Sequence, residues 1–424
     1  MVFLLLTIVS LVAVYSAIGW FAVGKMSTTP ARMFVKHLAM VLASYVAVIG
    51  VSHADFKWFS SLSRWGFVGS LLVLAFVAIS GTRWAKVPLI GQFQPSEVAK
   101  ICAIIYTARL LSQSAEYVEK HDVFVNLLIA LRVIKNGVTE KVLFWRIVAY
   151  FGIASLIIFP ENFSTAALVF LSCYIMMLFG GVNKRYWTLF FFVFMGLAVA
   201  VLYFSYSNRD AEVFRSSTWG GRIERWLHPD HDALWQENEA RMAIARGKVF
   251  GVGVGNTIHA RLMTQGENDF IYAIIIEETG MVGGLVLLAL YCVLFFRCIR
   301  ISGRCKVPFG SITVAGLGTV IFIQALANMG VAVGLFPVTG QTLPLVSYGG
   351  TAYIIMGCAI GAIQSIAFDS NLKLKQEQSQ RTKSVGNDSL SAPAPSQEAP
   401  KAEPKPRRAT SALDAEDIFA DMDK

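Results

Sequence analysis

Ten apolar stretches of membrane length follow one another along most of this chain, and that pattern leaves room for little besides a bundle of membrane-crossing helices. They run Val2–Val23, Met33–Val51, Gly66–Ser80, Pro95–Leu111, Phe144–Phe159, Phe163–Gly181, Tyr186–Tyr206, Phe270–Arg297, Phe309–Leu335 and Gly349–Phe368. Inside lipid every backbone polar group must be satisfied within its own segment or a closed barrel. The expected fold class is therefore all-α, a polytopic membrane protein with about ten transmembrane helices. With 55% hydrophobic and only 15% charged residues, the chain is not composed like a soluble domain. The first stretch lacks a basic leader and runs straight into further spans, so it reads as a membrane helix rather than a secretory signal.

One region breaks the pattern. Residues 207–269 are rich in Arg, Asp, Glu, Gly and Trp and form a large loop within a membrane domain spanning residues 1–369. From residue 370 to 424 the composition turns to Lys, Gln, Ser, Ala and Pro, which predicts a disordered tail. Its last stretch carries Leu413, Ile418, Phe419 and Met422 among acids, a pattern that suits either a short partner-binding helix or a solvated tail. With a cytoplasmic N-terminus, the short inner connections hold fourteen Lys and Arg against five in the outer ones, so both termini are expected in the cytoplasm and the large loop outside. The six cysteines lie in or beside spans, with neither a disulfide framework nor a CxxC metal motif.

Polar residues within or beside the spans are the candidates for chemistry, because an ionisable group at bilayer depth costs roughly 2.5–3.5 kcal/mol. Glu97 and Lys100 stand three apart at the start of the fourth span and share a helix face, as an ion pair between helices or as substrate contacts. Asp269 stands at the start of the eighth, where a carboxylate suits either a helix cap or a general base, and at least one of Glu277 and Glu278 must face the bundle. The run Phe336–Gly350 contains two prolines and three glycines, and irregular backbone at that depth is tolerated only around a protein-lined or water-filled cavity. By parity, these features, the turn at Pro160–Thr165 and the large loop all fall on the outer side. The Gly251-Val252-Gly253-Val254-Gly255 run lacks the strand and helix of a dinucleotide fingerprint and reads as a flexible segment near substrate. His228-Pro229-Asp230-His231-Asp232 looks metal-like at first sight.

Five motifs in order, QPSEVAK, PENFST, GGRIERW, NDFIYAIIIEETG and PVTGQTLPLVSYGG, resemble those of the SEDS family (shape, elongation, division and sporulation proteins). The resemblance spans Met1 to Phe368. It implies a ten-helix fold and a peptidoglycan glycosyltransferase that polymerises lipid II beside a class B penicillin-binding protein. In the family, the aspartate matching Asp269 is catalytic, and Glu97 and Lys100 match the QPSE-x-x-K motif. The resemblance implies a surface turn, not a metal site, at His228–Asp232. The chain departs from the family pattern at Asn162, where an acid is usual, at Lys248, where a second glycine is usual, and at Met263–Gln265, which replaces Leu-Pro-Glu.

On this reading Asp269 accepts a proton from a sugar hydroxyl, while Arg222, Arg225 and Lys100 offset charge on a diphosphate. Glu97 and Ser347 complete the candidate substrate-binding set. The resemblance permits a divalent cation such as Mg²⁺ without fixing its ligands. Further expected partners are division-complex proteins, with no nucleic acid, and the expected location is the bacterial cytoplasmic membrane at the division septum. The tail and the Gln341-bearing loop favour a division-type member over an elongation-type one. A lipid II flippase is the rival; it would need polar groups reaching the midplane from both sides.

Overall fold

The computed structural model describes residues 1–19, 29–79, 85–87, 91–113, 117–118, 122, 125, 139–159, 162–207, 226, 235–263 and 266–390. Each of the ten expected spans corresponds to a helix: α1 (Val2–Gly19), α2 (Pro30–Ser52), α3 (Phe56–Ile79), α4 (Pro95–Ser112), α5 (Glu140–Ile158), α6 (Phe163–Phe179), α7 (Lys184–Ser207), α9 (Ile271–Arg304), α10 (Pro308–Ala332) and α11 (Thr351–Leu390). Helix α8 (Trp235–Gly247) belongs to the large loop. Helices α2, α3, α5, α9, α10 and α11 are each long and apolar enough to cross a membrane, and α1 and α6 are shorter apolar helices. The protein is a multi-pass membrane protein.

Three departures from expectation stand out. Helix α3 starts at Phe56 rather than Gly66, because Lys57, Ser60, Ser61, Ser63 and Arg64 dilute an apolar pattern that the helix still carries; the Asp55 side chain accepts the Lys57 N–H at 3.0 Å and helps start it. A short antiparallel ribbon, β1 (Ala85–Val87) with β2 (Gly91–Phe93), joins α3 to α4 in the register Ala85↔Phe93, Lys86↔Gln92 and Val87↔Gly91. Strands of three residues are too short to leave a readable alternation, so the all-α expectation missed them. Helix α11 runs to Leu390, past the expected start of disorder at 370, because Leu372–Gln380 is built from good helix formers and no proline interrupts it. Residues 391–424 lie outside the described residues.

Helix α10 is the centre of the bundle, packed against α4, α6, α8, α9 and α11. Its small residues explain why: a side chain at Gly318 would begin 2.6 Å from Cys298 Cβ, so only glycine allows α9 to approach this closely. All six cysteines are free thiols.

Candidate active site

The turn Gly266–Phe270 delivers the chain into α9, and three consecutive carbonyls in it are held by the α10 side of the molecule. Tyr348 N–H donates to Glu267 O at 2.9 Å, Ser347 Oγ donates to Asn268 O at 2.6 Å, and Asn328 Nδ2 donates to Asp269 O at 2.9 Å. The helix-capping position falls to Phe270, one residue past Asp269. Asp269 itself is half-buried. Its carboxylate faces the Gly340 turn: a Cβ placed on Gly340, which sits at φ +67°, would lie 4.0 Å from Asp269 Oδ2. A rigid backbone presenting a half-exposed carboxylate is what a positioned base needs.

The Pro/Gly segment between α10 and α11 is irregular but well satisfied. Asn328 Nδ2 also donates to Gln341 O (2.8 Å), Gln324 Nε2 donates to Thr342 O (3.0 Å), and Ser10 Oγ of α1 donates to Val346 O (2.8 Å). Tyr291 of α9 bonds Pro344 O. From α6, Ser164 Oγ donates to Thr339 O at 2.9 Å, and Thr165 Oγ1 accepts from Gln341 Nε2 at 3.1 Å. Side chains from four helices thus replace the regular hydrogen bonds that the prolines and glycines deny this loop. Leu345 is held at φ +63°, a conformation an L-residue adopts only under constraint.

Asn162, where the family usually has an acid, caps α6. Its Oδ1 accepts the Thr165 N–H at 3.1 Å as the N-cap of α6 and faces Gln341 Nε2 at 3.4 Å. Either an amide oxygen or a carboxylate oxygen can take both roles.

Lys100 is fully buried, with Nζ 2.7 Å from Glu97 Oε2 and 2.6 Å from Gln324 Oε1. Its ammonium is therefore engaged within the protein, and through Gln324 it is linked to Thr342 of the Pro/Gly loop. Glu97 lines a pocket with Gln324, Thr342, Pro344, Ser347 and Tyr353. Ser347, expected to touch substrate, also lines this pocket; its hydroxyl donates to Asn268 O and accepts Leu343 N–H at 2.8 Å. Arg222 and Arg225 lie outside the described residues. The motif that carries them ends at Trp226, whose indole N–H donates to Gly334 O at 3.2 Å just beyond α10.

Glu277 and Glu278 are both buried and both fasten the large loop. Glu277 pairs with Arg246 Nη1 at 2.6 Å and bonds Thr257, while Glu278 accepts Gly255 N–H at 3.0 Å and bonds Ser16. The glycine run beside them is a docking device and not the flexible segment expected. Val252 N–H and Gly253 N–H donate to Glu277 O and Glu278 O, both at 2.9 Å, where α9 is broken by Gly280 at φ +75°. A Cβ at Gly251 would lie 2.1 Å from Glu278 O and one at Gly280 would lie 2.1 Å from Val249 O, so neither position admits a side chain.

Sequence reasoning passed over Gln324, Asn328 and Glu267. The first two were legible: two amides four apart on an otherwise apolar span share a face and need partners. Glu267 lies outside the membrane spans, and burial raises its carboxyl to about 7, with the Asp269 charge adding to the rise and its own backbone hydrogen bond opposing it. Tyr348 is raised by burial and by the Glu267 charge.

The fold and site thus define a polytopic helical membrane protein in which the starts of α4, α6 and α9 converge on one irregular loop around a carboxylate. A model of the FtsW/RodA/SpoVE cell cycle proteins matches residues 1–372, and the chain belongs to this family. Relatives named "Probable peptidoglycan glycosyltransferase FtsW" include one from Thiomonas intermedia, 32% identical with 88% of each chain covered. Another is from Allochromatium vinosum, 31% identical over 82% of this chain and 85% of its own. Among solved structures, a peptidoglycan synthase complex described as coordinating polymerization and crosslinking matches at 20% identity, TM-score 0.63, covering 87% of this chain and 97% of that one. The rod shape determining protein RodA of Thermus thermophilus matches at 20% identity and TM-score 0.55, covering 87% of this chain and 96% of that one. At this identity the two structures speak to the fold.

Proposed function

We propose that this protein is a peptidoglycan glycosyltransferase of the division type that polymerises lipid II on the outer face of the cytoplasmic membrane. One observation carries the assignment: the Asp269 carboxylate faces an irregular loop, and the turn that carries it is pinned at Glu267, Asn268 and Asp269 by Tyr348, Ser347 and Asn328. Family membership and relatives named as FtsW glycosyltransferases supply the reaction class. The polar groups around Asp269 gather at the starts of α4, α6 and α9, which suits a polymerase, and the buried Arg146–Asp122 pair belongs to the opposite end of α4; a flippase needs one path of polar groups from both sides.

In the reaction, Asp269 accepts the proton of the acceptor sugar's 4-hydroxyl as its oxygen forms a bond to the donor's anomeric carbon. The anomeric carbon–phosphate oxygen bond breaks, the electron pair leaves with the polyprenyl diphosphate, and the anomeric centre inverts. A positioned base supplies roughly 10²–10⁴ in rate. Arg222 and Arg225 offset charge on the leaving diphosphate, and Lys100 stands behind Glu97 as a fixed buried charge. Among the described residues no group of three or more His, Cys, Asp or Glu could hold a metal ion. A divalent cation here would therefore be held by Asp269 together with substrate phosphates, a donor set that suits Mg²⁺. The partner is a class B penicillin-binding protein that cross-links the strands, alongside division-complex proteins at the septum. Both termini are cytoplasmic, as the Lys and Arg distribution of the short loops supports.

The test is polymerisation of fluorescent lipid II by the purified protein with its transpeptidase partner. Asp269→Asn is expected to lose glycan chains by at least about a hundredfold. Chains made at the unmodified rate would refute the base assignment, and translocation without polymerisation would favour the flippase. A fluorescent fusion is expected in midcell bands; patches along the side wall would favour the elongation role.

A further inference from the structure

Helices α1 and α2 supply no group to the reaction above, yet α2 buries a histidine against the loop that holds the Asp269 turn. His37 lies about two turns into α2 and is 1% exposed. A titratable side chain at this depth is costly and rare unless it has a task. Its Nε2 stands 3.0 Å from Ser10 Oγ of α1, and Ser10 Oγ stands 2.8 Å from Val346 O. A carbonyl oxygen can only accept, so the single hydroxyl proton of Ser10 goes to Val346 O and the ring must donate to Ser10. That fixes the tautomer with its proton on Nε2 and leaves Nδ1 without a partner.

The His37 ring also packs against two tyrosines. Tyr348 lies at 5.6 Å between centroids and Tyr353 stands edge-on at 5.7 Å, distances at which aromatic pairs attract. Tyr353 Oη in turn donates to Leu345 O at 3.0 Å. Leu345, Val346 and Tyr348 are thus held from behind by α11, α1 and α2, which explains how Leu345 stays at φ +63°. The same short run carries the pins of the Asp269 turn on its other side: Ser347 Oγ donates to Asn268 O and Tyr348 N–H to Glu267 O.

We infer, resting on the proposed role of Asp269 as base, that His37 is a positioning residue for the reaction: through Ser10 and Tyr348 it fixes the run 345–348 and so the place of the Asp269 carboxylate. His37 touches neither substrate nor the reacting atoms, and it exchanges no proton in the cycle. Its contribution is geometric. A donor and a ring face on α2 fix Val346 and Tyr348, the run they belong to fixes the backbone oxygens of Glu267 and Asn268, and that turn aims Asp269. A misplacement of about 1 Å at a reacting group can cost about a hundredfold in rate. A histidine that merely filled the core would support stability alone, whereas both contacts of His37 end on residues that carry or flank the pins.

The test measures kcat and KM for polymerisation of fluorescent lipid II, per folded molecule and with the transpeptidase partner, in His37→Phe, Ser10→Ala, their double variant, His37→Gln and Asp269→Asn. His37→Phe keeps a ring and removes the donor. Each single variant of the relay is expected to lower kcat about tenfold while KM stays within about twofold, because the base is displaced and the substrate contacts are not. The double variant is expected to fall no further than the singles, since both break one relay. His37→Gln supplies a donor again and is expected to bring kcat back to within about threefold of wild type. Wild-type kcat in His37→Phe, a rise in KM alone, or a loss in the double equal to the product of the two singles would overturn the inference, while an inactive Asp269→Asn keeps the base assignment. Full activity in Asp269→Asn would instead overturn the base assignment. Should His37→Phe not fold, Ser10→Ala and His37→Gln decide: a loss of about tenfold in the first with near wild-type kcat in the second supports the inference, and wild-type kcat in Ser10→Ala overturns it.

Discussion

Lys100 and Glu97 admit two roles, holding the fold together or touching substrate, and a double-mutant cycle separates them. Lys100 Nζ is fully buried, 2.7 Å from Glu97 Oε2 and 2.6 Å from Gln324 Oε1. Two unit charges about 4 Å apart attract by about 4 kcal/mol at an effective dielectric constant near 20. Removing one partner also strands the other's charge, so Lys100→Met is expected to cost about 3–5 kcal/mol, a factor of about 10²–10⁴ in the folded population. Replacing both, as Glu97→Gln with Lys100→Met, leaves neutral groups of similar volume and strands no buried charge. The double variant is expected to cost about 1–2 kcal/mol, less than either single, so the two side chains are expected to be favourably coupled. Chemical or thermal unfolding in detergent micelles reads the stability, and the polymerisation rate per folded molecule reads the function. A single variant costing under about 1 kcal/mol, or a coupling near zero, would refute the structural reading. A per-molecule rate that falls in Lys100→Met and is not recovered in the double variant would point to substrate contact instead.

Further outcomes follow from the same geometry. Ser347→Ala removes the donor to Asn268 O and the acceptor of Leu343 N–H, leaving buried backbone groups unsatisfied; stability should fall by about 2–4 kcal/mol and kcat by about tenfold as Asp269 loses its support, measured by unfolding and by polymerisation kinetics. Lys248 stands where the family usually has glycine and sits at φ +48°, so Lys248→Gly should stabilise by about 0.5–1 kcal/mol without loss of rate, checked by the unfolding midpoint. Glu267 binds its proton more tightly folded than unfolded, because burial raises it from 4.5 to about 7. Its contribution to stability is therefore fully present below about 4.5 and is lost as pH rises through about 7, a decrease of about 3 kcal/mol that Glu267→Gln should lack in unfolding measured against pH.

The sequence by itself determined the membrane class, the ten helices and the identity of the polar groups, because each of those rests on local properties. Apolar length makes a span, and an ionisable residue within one must have a role. Where a signal was diluted or short, as at the start of α3 or in the β1–β2 ribbon, local reading missed the boundary. What only the tertiary structure decided is which polar groups meet. Glu97, Gln324 and Thr342 are far apart in the chain yet form one connected set, and Glu277 and Glu278 turn out to fasten Arg246 and the glycine run rather than face the pocket. Glu267 is an ordinary loop acid in the sequence, and only its burial in the fold changes its chemistry. Partnership and desolvation depend on distances between segments that the fold brings together, and a pattern along the chain carries no record of those distances.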